Sequence, residues 1–212
     1  MNILLLSSAH FDRLSRIHYG FGYAPRFCIL MKQCRSTCIY DHTTLYLMDA
    51  FDCIETKLDV REFVTRDVSR EVRREIFKAA RATGTGLNTQ HWRFIMIAEK
   101  TNLEMLAQDS TSGNWVSGAN FAIIVLTNPK YGFHLIDAGR VVQNMQLAAW
   151  NRGVASCLFT GMRESKLRRD FGIPEELTPT VIVGFGYPRK ILSGKKKNRL
   201  PLETLVYNEK YA

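Results

Sequence analysis

Between Ala82-Thr83 and the apolar stretch Phe94-Ile95-Met96-Ile97-Ala98 lies the run Gly84-Thr85-Gly86-Leu87-Asn88-Thr89-Gln90-His91-Trp92. Its glycines can take positive φ and let another group approach the backbone closely. Asn88 and Gln90 offer donors and acceptors beside that opening. This is chemistry suited to a planar ligand with a polar edge, although the same glycines and amides also serve a plain helix-to-strand connection. Two further groups carry charge. Lys57-Leu58-Asp59-Val60-Arg61-Glu62-Phe63 alternates cations with a carboxylate, and Lys195-Lys196-Lys197-Asn198-Arg199-Leu200-Pro201 is basic near the C-terminus. Lysine and arginine in such runs are phosphate-binding candidates.

The elements that must position these groups follow from periodicity. Val68, Val72, Ile76 and Ala80 recur at helical spacing, so an amphipathic helix is expected over about 68–82, capped by Asp67 or Ser69. A strand follows at 94–98, then a helix near 102–108. The run Phe121 to Leu126 is apolar enough for a strand buried on both faces. A long helix is expected from His134 to Arg152, with Val141, Met145 and Ala148 inward and Gly153 as its stop. Asp137 falls near its start, where a carboxylate reads as a cap. A short helix near 163–170 leads to a strand over 180–186, and a last short strand is expected at 204–207. His91 and His134 have no partner visible in the sequence, and no Ser-His-Asp or metal-ligand constellation is present. Trp92 reads as core.

Composition is that of an ordinary soluble globular chain: 212 residues, 46% hydrophobic and 23% charged. No stretch reaches the roughly 18 apolar residues of a membrane span, and the apolar Ile3 to Leu6 is too short for a signal peptide. The net charge of +9 favours anionic partners such as nucleotides. Scattered basic residues and the absence of zinc-finger or RRM signatures argue against nucleic acid. The five cysteines Cys28, Cys34, Cys38, Cys53 and Cys157 show no disulfide framework, and a reducing cytoplasm fits them best. Cys34, Cys38 and His42 are spaced for a metal on a helix face, but unremarkable side chains are the preferred reading. Residues 1–47 lack sustained periodicity, whereas Met48 to Ile54 reads as a first helix capped by Asp49. We therefore expect a domain over 48–212, with Met48 the biological start and 1–47 an over-extended reading frame or an atypical extension.

The ordered set of Lys57 to Phe63, Ala82 to Phe94, and Lys197 to Pro201 resembles the nitroreductase family of FMN-dependent oxidoreductases. Its members open on a helix ending in Arg-Arg-Ser-x-Arg-x-Phe, carry a middle loop Ala-Pro-Ser-x-x-Asn-x-Gln-Pro-Trp-x-Phe, and often end with Lys-x-Arg-x-Pro. The resemblance implies an α+β fold, a mainly antiparallel sheet flanked by helices. It also implies an intertwined homodimer whose C-terminal arm reaches the partner subunit. The implied activity moves electrons from NADH or NADPH through flavin N5 to a nitroaromatic, a quinone or a similar small acceptor.

The resemblance also assigns roles. Lys57 takes the position of a phosphate or ribityl contact, and Arg61 that of the basic residue beside N1 and the C2 carbonyl of the flavin. Asn88 matches the asparagine bonded to the ribityl chain and the pyrimidine side. Thr160 and Gly161 fall where backbone N–H groups face N5, and Lys197 and Arg199 match the phosphate grip. Asp59 departs from the pattern, which has serine there. A carboxylate near a phosphate would be repelled, and Asp59-Val60-Arg61 instead resembles the flavin-destructase branch, which makes dimethylbenzimidazole from reduced FMN and oxygen. Three readings follow: an NAD(P)H-dependent flavin oxidoreductase first, oxygen-dependent flavin fragmentation second, and a non-enzymatic flavin binder third.

Overall fold

The strand β2 (Phe121–Thr127) is buried along its whole length, and its alternation divides the protein into two layers. Phe121, Ile123 and Val125 point to one face; Ala122, Ile124 and Leu126 point to the other. A strand so apolar is stable only when both faces are covered, which helices on either side achieve. The computed structural model describes residues 48–190 and 197–211. The expectations for 1–47, including the Cys34, Cys38 and His42 spacing, lie outside the described residues, as do Lys195 and Lys196.

Among the described residues nine α-helices and β-strands follow in order: α1 (Ala50–Thr56), α2 (Arg70–Ala82), β1 (Arg93–Ile97), α3 (Lys100–Gln108), β2, α4 (His134–Trp150), β3 (Ala155–Phe159), α5 (Glu164–Phe171) and β4 (Thr178–Gly186). The four strands form one sheet in the order β1-β2-β4-β3, antiparallel at every pairing. Ile76 and Ala80 of α2 join Val141, Met145 and Ala149 of α4 on one face. Leu103 and Leu106 of α3, with Leu167 of α5, cover the other. Phe121 stacks on its cross-strand neighbour Phe185 at 4.8 Å.

The helix signals operate as expected, with small shifts. Asp49 caps α1 by accepting from the Asp52 N–H at 2.8 Å. Ser69 caps α2, while Asp67 accepts from Asn120 instead. Gly153, at φ 70°, ends the turn after α4. Inside α4 the buried residue is Ala149 rather than Ala148. Trp92 is core, as read.

Three expectations require correction. β3 is an additional strand, absent from the sequence reading. The strand expected at 204–207 does not form: Leu202–Thr204 is a short 3-10 turn, and the segment is exposed throughout. An isolated strand is not stable without a ladder partner. The outer edge of β3 is already occupied by a parallel bridge between Asp59 and Ser156. Finally, Asp137 is not the helix cap, since Phe133 occupies the N-cap position of α4. No helix among the described residues is long and apolar enough to cross a membrane.

Candidate active site

Residues 57–64 form the first wall of the site because the sheet leaves them a place to pair. The Val60 N–H donates to the Ser156 carbonyl at 3.0 Å, laying this segment along β3. The Val64 N–H donates to the Tyr187 carbonyl, and the Arg189 N–H to that of Glu62, tying the next residues to the extension of β4. Phe63 is the anchor. It is 4% exposed, and a Cβ at Gly186 would lie 2.8 Å from its ring, so glycine is required for this close approach.

Arg61 is thereby held beside Cys157, its Nε 3.5 Å from the sulfur. That contact raises the Arg61 pKa above the usual guanidinium range, which is already far above neutrality. Its two terminal nitrogens make no hydrogen bond or ion pair among the described residues. One N–H tied back and a fork left open is the geometry of a residue presented to a ligand. Both described cysteines, Cys53 and Cys157, are free and buried.

Basic residues gather beside this wall. Lys57 closes α1, its side chain only 10% exposed, and its Nζ lies 2.5 Å from Asp59 Oδ1. Lys197 reaches back to the Ile54 carbonyl at the end of the same helix, bringing the C-terminal segment to this corner. Burial, then the charges of Arg199 and Lys57, hold the Lys197 ammonium below the ordinary lysine range. An anion placed among these cations would relieve that repulsion. The donor set therefore fits a phosphate, with Asp59 as the opposing charge.

Thr160 and Gly161 lie just past the end of β3, on the strand that carries Cys157. The Gly161 carbonyl accepts from the Thr111 N–H at 2.8 Å. A Cβ on Gly161 would meet the hydroxyls of Ser112 and Thr111 at 2.5 Å. The backbone is thus packed closely against Thr111 and Ser112 at this point.

Asn88 is not brought to this wall. Cys157 is level with Gly184, Ala122 and Ile97 across the sheet, whereas Asn88 precedes Arg93 at the opposite end of β1. Three inter-strand steps and four residues along a strand separate Cys157 from Arg93 by about 20 Å. The loop carrying Asn88 stands instead over the start of α4. There the Gly86 N–H donates to Asp137 at 2.9 Å, and His91 contacts the same carboxylate at 3.2 Å. Sequence reasoning missed this cluster because His91 and Asp137 are 46 residues apart. His134 also has a partner, the Thr127 hydroxyl at 2.9 Å. No group of three or more metal-ligating side chains occurs among the described residues.

Comparison with known proteins agrees with this architecture. The family model described as the nitroreductase family matches residues 54–123 and 108–187. A protein of Methanothermobacter thermautotrophicus, provisionally named NADH dehydrogenase/NAD(P)H nitroreductase, is 30% identical over 150 residues, covering 66% of this chain and 78% of its own. A nitroreductase family protein of Clostridium difficile 630 superposes with a TM-score of 0.70 at 27% identity, over 77% of this chain and 100% of its own. An FMN-dependent nitroreductase of Clostridium difficile R20291 shares the fold, with a TM-score of 0.69 at 22% identity, over 74% of this chain and 98% of its own. With its fold, its ordered motifs and the matched residues in agreement, this chain belongs to the nitroreductase family.

Proposed function

We propose that the protein is an FMN-dependent oxidoreductase that takes electrons from NADH or NADPH and delivers them to a small acceptor such as a nitroaromatic or a quinone. One observation carries this reading. Lys57, Arg61 and Lys197 converge on the outer edge of β3, with Arg61 restrained by Cys157 and its fork open. FMN, when bound, supplies the two-electron chemistry. The protein supplies binding and electrostatics. Lys57, Lys197 and Arg199 neutralise the phosphate, and Arg61 contributes a fixed positive charge that favours negative charge on the ring. Gly161 and Thr160 offer main-chain groups at the end of the strand that carries Cys157. No side chain need act as a general acid or base in this scheme.

The site is completed by a second copy of the chain. The strand that the Asn88 loop leads into begins at Arg93, about 20 Å from Cys157 of the Arg61 wall by strand geometry, so a homodimer would bring the loop of one subunit to the wall of the other. The C-terminal arm supports this arrangement. Leu200, Leu202, Leu205, Val206 and Tyr207 are all more than two-fifths exposed, an apolar run left uncovered among the described residues.

The test is a visible spectrum of the purified full-length protein, followed by anaerobic addition of NADH or NADPH. A bound flavin that bleaches and is reoxidised by a nitroaromatic or quinone is expected. A protein that takes up no FMN would refute the proposal. For the composite site, Arg61→Ala and Asn88→Ala subunits should each bind FMN poorly. Mixed dimers should recover about one good site per dimer, and no recovery would show that both residues serve the same subunit's site.

A further inference from the structure

The loop that carries Asn88 is held in a conformation its own residues disfavour. Leu87, Asn88 and Gln90 have φ of 52°, 53° and 45°. Leucine and glutamine avoid this left-handed region, which asparagine tolerates better, so Leu87 and Gln90 on either side of Asn88 are not held there by local preference. Something outside the loop must hold them.

Beside the loop's own bonds from the Asn88 and Thr89 N–H groups to the Thr85 and Gly86 carbonyls, the external anchor is one carboxylate. Asp137 is 2% exposed, and its Oδ2 accepts from the Gly86 N–H, at the loop's entry, and from His91 Nε2, at its exit. His91 Nδ1 accepts from the Asn128 N–H at 3.4 Å, which places the imidazole proton on Nε2 and directs it at Asp137. Oδ1 accepts from Arg140 at 3.2 Å. Within the loop, Thr85 Oγ1 accepts from the Gln90 N–H at 3.0 Å. Phe133 backs the loop so closely that a Cβ on Gly86 would lie 2.6 Å from its ring. The clamp is therefore buried while the clamped residues face outward: Leu87 is 89% exposed, and Asn88 and Gln90 are also exposed. A strained, outward-facing amide on a buried anchor is a preorganised contact.

We infer that Asp137 is a positioning residue. By tying both ends of the loop to one oxygen, it keeps the Asn88 amide in its presenting conformation and so sets the affinity for FMN. The inference rests on the functional reading above.

The experiment compares full-length wild type with Asp137→Asn. Hydrogen exchange of the Gly86 to Gln90 amides is read without FMN, and the Kd for FMN is read by flavin fluorescence well below the melting temperature. In the variant the loop amides should lose protection while those of α2 and α4 keep theirs. The Kd should rise about tenfold, as when the competent loop is populated a tenth of the time. Turnover should return at saturating FMN, which a merely structural defect would not show. A loosened loop with unchanged Kd, or an unaltered loop, would overturn the inference while leaving the functional reading intact. Wild type that binds no FMN would overturn the functional reading itself, and the inference with it. Should Asp137→Asn fail to fold, Thr85→Val breaks only the bond from Gln90. It should move protection and Kd in the same directions, and a loosened loop with unchanged Kd would again refute the role.

Discussion

Replacing Asp59 with serine or asparagine should tighten the binding of FMN. Asp59 is 64% exposed and lies 2.5 Å from the Lys57 ammonium, so it both occupies that cation and opposes an incoming phosphate. At a separation of about 5 Å in a near-aqueous dielectric, a unit charge acts on a phosphate of charge about −1.5 to −2 with roughly 1.2–1.7 kcal/mol. Freeing Lys57 from an exposed ion pair contributes at most about 1 kcal/mol more. The sum, about 1.2–2.7 kcal/mol, corresponds to a Kd roughly 7–90-fold lower. Because the groups are solvated, the gain should shrink at high salt. Fluorescence titration of FMN into wild type, Asp59→Ser and Asp59→Asn, at low and high ionic strength, measures it. A Kd unchanged or raised at low salt would refute the placement of the phosphate beside Lys57 and Asp59. The same variants separate the first two chemical readings. Loss of oxygen-dependent flavin consumption on removing Asp59 would support fragmentation, whereas retained NAD(P)H turnover with tighter binding supports a reductase.

Other perturbations test neighbouring links. The Lys197 ammonium is held below the ordinary lysine value of 10.5, and a bound phosphate should raise it. FMN affinity should therefore be full below the free-state value and fall as pH rises through the bound-state value, with Lys197→Met flattening the slope in a pH series of titrations. Cys157→Val removes the acceptor for Arg61 Nε and should weaken FMN binding about 2–10-fold, the worth of one hydrogen bond. Cys157→Ser should retain most of the affinity in the same titration. Gly184→Ala would place a Cβ 2.7 Å from the Trp115 ring in the middle of β4. It should cost about 1–3 kcal/mol by overpacking, measured by denaturant unfolding.

Much of this fold can be read from residue order because its strongest signals are local. α2 follows from Val72, Ile76 and Ala80 on one face, and β2 from an apolar run with no polar interruption. Gly153 marks the end of α4 because the turn there takes a positive φ. β3 escaped because Ala155-Ser156-Cys157-Leu158-Phe159 has no β-branched residue and no clean alternation. Pairing with β4 makes it a strand. At 204–207 the reverse applies: Val206 and Tyr207 have the composition of a strand but pair with no strand among the described residues.

The candidate site divides along the same line. Residue identity, read with the family resemblance, marked Lys57, Asp59, Arg61, Asn88, Lys197 and Arg199 as candidate positions. Charge, donor geometry and backbone freedom are properties of each residue by itself. Only the tertiary structure decided which of them meet. The sheet order sets the Arg61 wall and the Asn88 loop at opposite edges. The return of the C-terminal segment joins Lys197 to the end of α1, and burial turns Asp137 from an apparent cap into the anchor of a strained loop. Those relations depend on contacts between residues far apart in the chain, which propensity and spacing do not encode.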